Sequence, residues 1–203
     1  MHISDGILAP PVLAAGALLS AGGLGIGLRR IRDEDIPRTA MLTAAFFVAS
    51  LIHVPLGPST VHLIINGLAG IILGWAAFPA LFIGLLLQAL LFGYGGLSVL
   101  GVNTFNTAAP AVLCGSLFHL LRRRSPDGLI KLPVAAGLCT ALCIAMTGLL
   151  NAVVLITSHS RFMNAALALL AAHVPVMIIE AVLSASIIAF LLKTRPDLLE
   201  PRA

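Results

Sequence analysis

Met1 and His2 put three nitrogen donors on two consecutive residues: the α-amine, the backbone amide nitrogen of His2 and Nδ1 of its imidazole. Bound to one metal ion, they close a five-membered and then a six-membered chelate ring. The amine titrates at about 7.7–8.0 and the imidazole at about 6.5, so a metal displaces little proton population from either at neutral pH. The amide proton is harder to remove. Among common divalent ions Ni(II) and Cu(II) remove it best, and both favour the planar nitrogen arrangement this chelate imposes. A planar site needs a fourth corner, and the candidates are the remaining histidines: His53, His62, His119, His159 and His173.

The elements that must position these groups are read from composition. Over 203 residues, 59% are hydrophobic and only 10% charged, against roughly 25% charged in soluble domains, and the mean hydropathy is +1.07. These values predict an all-α, polytopic bundle forming one integral membrane domain over 1–203, with no room for a soluble catalytic domain. Apolar runs and breakers give about seven transmembrane helices, near 7–28, 39–55, 60–77, 79–96, 104–121, 132–157 and 163–192. No charge separates the third from the fourth, so that break rests on Pro79, and a re-entrant hairpin there would leave the flanking sides unchanged.

Eleven of the twelve basic residues fall in 29–38, 122–131 and 193–203, and only Arg161 falls in a loop of opposite parity. By the positive-inside rule those three stretches are cytoplasmic loops and tail, and 1–6 is an external N-terminus. MHISDG has no positive n-region, so a cleaved leader is not expected. His2 is too bulky to favour removal of Met1. The chain is expected in a bacterial or archaeal cell membrane, the inner membrane in a Gram-negative cell.

Topology then sorts the histidines. His119 abuts the cytoplasmic Arg122 cluster, His159 lies in an outer loop, and His173 falls about eleven residues into the last span. His53 and His62 flank the external segment VPLGPSTV, and both stay open as the fourth ligand on these grounds.

Three stretches carry a family resemblance: MHISDG at the start, VHLIINGLAGIILG from Val61, and LLLQALLFGYGGLSVLGVNTFN from Leu85 to Asn106. In this order and spacing the chain resembles, over essentially its full length, the CbiM/NikM family, the substrate-binding membrane subunits of energy-coupling-factor transporters for cobalt and nickel. The resemblance implies a seven-helix bundle with an external N-terminus. It implies metal ligands at Met1, His2 and His62, with Co2+ or Ni2+ as the transported substrate and no organic cofactor. It also implies partners: a coupling transmembrane subunit, paired cytoplasmic ATPases and a separate small membrane subunit. Ser4 stands where Pro or Met is common, and GPSTVH replaces the S-C-S-H-P-T-G run of many cobalt members, which leaves the choice between the two metals open.

Polar residues within apolar spans are rare unless paired or functional. Gln88, Asn103 and Asn106 lie in the signature stretch and are candidates to orient His2 and His62 from a second layer, or else to bond between helices. Glu180 reads as a switch or packing partner, nearer the cytoplasm than the metal. Asp5 reads as the N-cap of the first helix, with a subordinate role in attracting cations. Gly23 with Gly27 and Ala21 with Gly25 form close-packing pairs, of a kind that can dock the coupling subunit in the family. Cys114, Cys139 and Cys143 read as packing residues.

Other classes are poorly matched. The chain has two lysines, Lys131 and Lys193, and neither follows the glycine pattern of a P-loop, so ATP hydrolysis must come from another chain. His62-x-x-x-Asn66 matches the H-x-x-x-N of rhomboid proteases, but no G-x-S-G nucleophile accompanies it. A gradient-driven nickel/cobalt permease is the main alternative, although its H-x-x-x-x-D-H helix motif is absent. The scattered basic clusters give no nucleic-acid surface.

Overall fold

The computed structural model describes residues 3–51, 53–56, 59–124 and 131–199, with backbone alone for 53–56 and 59–61. Seven α-helices dominate the described residues: α1 Pro10–Arg30, α2 Ile36–Ala49, α3 Asn66–Leu73, α4 Ala77–Phe92, α5 Leu100–Arg124, α6 Leu132–Ser158 and α7 Met163–Thr194. A short antiparallel hairpin, β1 His53–Leu56 and β2 Ser59–His62, precedes α3. Five stretches are long and apolar enough to cross a membrane: Pro10–Arg30, Asn66–Phe92, Leu100–Arg124, Leu132–Ser158 and Ser160–Thr194. Their outward faces carry large apolar side chains such as Leu18, Leu138, Val182 and Phe190. Such faces suit lipid.

The helices expected near 7–28, 104–121, 132–157 and 163–192 match α1, α5, α6 and α7 within a few residues. The expected second helix stops at Ala49, short of residue 55. The expected third, 60–77, is not one helix. Its first residues form β2, and α3 is only 8 residues long. Thr60 and Val61 are β-branched, and Pro55 also disfavours a helix through this stretch. An apolar run of this length carries no period that separates strand from helix.

The break after α3 also falls earlier than Pro79. Gly74 takes φ +56° and opens a one-turn 3-10 segment, Gly74–Ala76. Pro79 is instead the third residue of α4, in the first turn where a missing N–H costs nothing. The chain reverses direction at Gly74. On one side α3 runs alongside α5, with Asn66 reaching Thr107, Gly70 against Ala111 and Ile71 beside His119. On the other, α4 runs alongside α2, with Gly84 against Phe46 and Gln88 reaching Ser50. The 27-residue stretch Asn66–Phe92 is therefore two legs joined by a tight turn.

Small residues set the closest helix contacts. Gly70 and Gly115 let α3 and α5 touch backbone to backbone. Gly23 and Gly27 face Phe78, Trp75 and Pro79 inside the bundle, so that pair serves internal packing and is not a free docking face. The Ala21 and Gly25 positions lie on the exposed side of α1. All three cysteines are buried and unbridged.

Candidate metal site

Met1 and His2 lie outside the described residues. The arm that follows them is described and tightly held. Ile3 is fully buried; its N–H donates to Asn103 Oδ1 at 3.0 Å, and its carbonyl accepts from Asn103 Nδ2 at 3.1 Å. Two residues on, Asp5 N–H donates to the Gly95 carbonyl at 2.9 Å. The Asp5 carboxylate accepts from Ser98 N–H at 3.2 Å and from the Ser98 hydroxyl. It lies directly over Gly96, whose φ of +138° and missing Cβ make room for it. Asp5 is thus not the N-cap of α1: the cap position is Ala9, and Pro10 starts the helix with no side-chain cap. Proline needs no capped N–H at that position.

Asn103 begins a buried polar line. Its carbonyl accepts from Thr107 Oγ1, and the Thr107 carbonyl accepts from Asn66 Nδ2 at 2.9 Å. Asn66 Nδ2 also donates to Thr147 Oγ1 at 3.0 Å. Asn106 Nδ2 donates to Asn151 Oδ1 at 2.9 Å, tying α5 to α6. Gln88 Nε2 instead donates to Ser50 Oγ at 2.6 Å, fastening α4 to the residue that ends α2.

The hairpin carries His62 to the start of α3. The strand register pairs His53 with His62 across β1 and β2, so the two residues left open by sequence are backbone neighbours. The side chain of His53 lies outside the described set. The imidazole of His62 is 4% exposed, packs edge-on against Phe46, and places Nδ1 2.6 Å from the Leu63 carbonyl. A carbonyl only accepts, so Nδ1 carries the proton and, in the neutral ring, Nε2 carries the lone pair. Metal-bound histidines are oriented by the same kind of bond from the far nitrogen.

Immediately after His62 the backbone turns sharply. Ile65 takes φ +55° and ψ +14°, a left-handed conformation rare for a β-branched residue. The carboxylate of Glu180, 1% exposed on α7, receives the N–H of Ile64 and, at 3.0 Å, that of Ile65. Glu180 therefore reaches the segment next to His62, and does not stand apart from it as its position in α7 suggested. His173, two turns earlier on the same helix, is buried, with Nδ1 2.6 Å from the Leu169 carbonyl and Nε2 without a partner among the described residues. His119 Nε2 meets the Ile71 carbonyl at 2.9 Å, and His159 is an exposed loop residue following α6.

Among the described residues no three His, Cys, Asp or Glu side chains converge as a metal centre. Sequence reasoning passed over Asn66, Thr107, Thr147 and Asn151, and misjudged the reach of Glu180. The signal for Asn66 was its H-x-x-x-N spacing from His62. For Glu180 there was only its buried-span position.

A bundle with several helices long and apolar enough to cross a membrane, and with lipid-compatible outer faces, defines a multi-pass membrane protein. A family model described as "CbiM: Cobalt uptake substrate-specific transmembrane region" matches residues 2–198. The chain belongs to this family of cobalt and nickel transport proteins. A putative metal transport protein of Haemophilus influenzae is 42% identical over 98% of this chain and 97% of its own length. The fused nickel transport protein NikMN of Rhodobacter capsulatus is 30% identical, covering 100% of this chain and 65% of the relative. The crystal structure of a transition metal transporter superposes with a TM-score of 0.81 at 26% identity, over 95% of this chain and 93% of that one.

Proposed function

We propose that the chain is the substrate-specificity subunit of an ATP-driven energy-coupling-factor transporter, capturing Co2+ or Ni2+ from outside the cell. The metal is held by the Met1 amine, the His2 amide nitrogen and imidazole Nδ1, and His62 Nε2. The observation that carries this reading is the pairing of Ile3 with Asn103, which fixes the residue following His2 inside a metal transport protein. The Leu63 carbonyl supports it by holding the His62 proton on Nδ1, which leaves Nε2 as the nitrogen that can bind metal. In this reading the N-terminus faces outward and the basic stretches face the cytoplasm. Energy then comes from partner chains: a coupling membrane subunit, paired ATPases and a small membrane subunit.

The test is metal binding by the purified chain with its native free N-terminus. His2→Gln removes the imidazole and with it the six-membered ring, and His62→Ala removes the fourth nitrogen. Both variants are expected to lose Ni2+ affinity by at least ~10-fold, and equal binding by all three proteins rejects the site. Uptake into proteoliposomes that hold this chain alone, driven by an ion gradient and indifferent to ATP, would instead identify a permease.

A further inference from the structure

Glu180 is a buried carboxylate with no ion pair among the described residues; its two oxygens accept from backbone N–H groups 116 and 115 residues away. Those N–H groups belong to Ile64 and Ile65, the two residues between Leu63 and the start of α3. Ile65 is the one non-glycine residue with positive φ among the described residues. A β-branched residue takes that conformation only where its surroundings over-determine it. The carboxylate is the visible tether of this corner, since it accepts the N–H groups of two consecutive peptide units, Leu63–Ile64 and Ile64–Ile65, and so holds the backbone that leads into Ile65. The corner it holds decides how strand β2 leaves for helix α3, and so where the residue three positions earlier points.

We propose that Glu180 is a positioning residue of the metal site: it sets the direction of His62 through the Ile64 and Ile65 backbone and does not touch the metal. The proposal rests on His62 being a ligand. It separates Glu180 from an ordinary packing residue because the clamp holds the backbone that leads into one strained angle, and the strain at that angle can be relieved by other means. Glycine adopts φ +55° at no steric cost, so Ile65→Gly removes the need for the clamp.

The experiment uses the full chain with its native N-terminus in detergent, and reads Ni2+ affinity by chelator competition together with the visible absorption band of the bound Ni2+. Glu180→Gln is expected to weaken binding by ~10–100-fold, the range typical of lost outer partners, and to shift the band, with helical circular dichroism unchanged. Glu180→Gln combined with Ile65→Gly is expected to recover most of the loss, measured against Ile65→Gly alone. Glu180→Asp, which keeps the charge and shortens the reach, is expected to fall between parent and Gln, and it serves if the Gln variant does not fold. Parental binding by Glu180→Gln, or no recovery in the double variant, overturns the proposal. Parental binding by His62→Ala shows instead that the ligand assignment beneath it is wrong.

Discussion

Asn103 and Ile3 are joined by two hydrogen bonds, 3.0 Å into Oδ1 and 3.1 Å out of Nδ2, as neighbouring strands of a sheet would be. A side-chain amide presents an acceptor and a donor at this spacing without any change of protonation. Replacing Asn103 with Leu leaves a buried N–H and a buried carbonyl without partners, at a cost of about 1–3 kcal/mol each in the worst case. We expect Asn103→Leu to lower the unfolding temperature in detergent and to weaken Ni2+ binding by ~10–100-fold. Asn103→Asp keeps the acceptor for Ile3 N–H but turns a second oxygen toward the Ile3 carbonyl. Its binding should fall below the parent's.

Gln88 provides the contrast. It lies in the same signature stretch, yet its amide bonds to Ser50 and its Oε1 has no partner among the described residues. Interhelical bonds of this kind contribute about 0.6 kcal/mol in membrane proteins. Gln88→Leu should therefore change thermal stability slightly and leave Ni2+ affinity within about twofold of the parent, since on this scale little free energy reaches the site. A loss comparable to that of Asn103→Leu would place Gln88 in the metal's surroundings after all.

The contrast also marks what the sequence could and could not reveal. Hydropathy and basic clusters located α1, α5, α6 and α7 because membrane helices must satisfy their own backbone and so run long. The break between the third and fourth helices was legible but placed a few residues late, at Pro79, which sits harmlessly in a first helical turn, while the β1–β2 hairpin was missed because VPLGPSTV reads as a loop between apolar spans. At the site, His62 was legible from its motif and its place beside an outer segment. The destinations of the polar side chains were not: Asn103 meets a residue 100 positions away and Glu180 one 116 positions away. Partners at such separations are fixed by helix packing, which composition does not encode.

Packing makes its own prediction at Gly70 and Gly115. A Cβ on Gly70 would run into the Ala111 carbonyl, and one on Gly115 into the Gly70 carbonyl. Backbone cannot step aside as a side chain can, so Gly70→Ala and Gly115→Ala belong at or beyond the upper end of the about 1–3 kcal/mol typical of overpacking. Gly25→Ala, with nothing near its added Cβ, is the control. We expect the first two variants to be lost from the monodisperse fraction on size exclusion in detergent. Gly25→Ala should elute like the parent.

Asp5 distinguishes a helix cap from a tether. A cap's removal would fray α1, costing about 1 kcal/mol and helical signal with it. The structure instead ties Asp5 to Ser98 and starts α1 at Pro10. Asp5→Ala, Ser98→Ala and the double variant form a cycle in which the pair's coupling should be modest, about 0.5–1.5 kcal/mol, because the contact is exposed. Helical circular dichroism should not change in any of the three. Ni2+ affinity should fall modestly in Asp5→Ala and less in Ser98→Ala, which keeps the Ser98 N–H donor, because the Ile3–Asn103 pair still holds the arm that carries Met1 and His2. A drop in helix content with Asp5→Ala, unmatched by Ser98→Ala, would return Asp5 to the role of a cap and leave Asn103 as the anchor of the N-terminal arm.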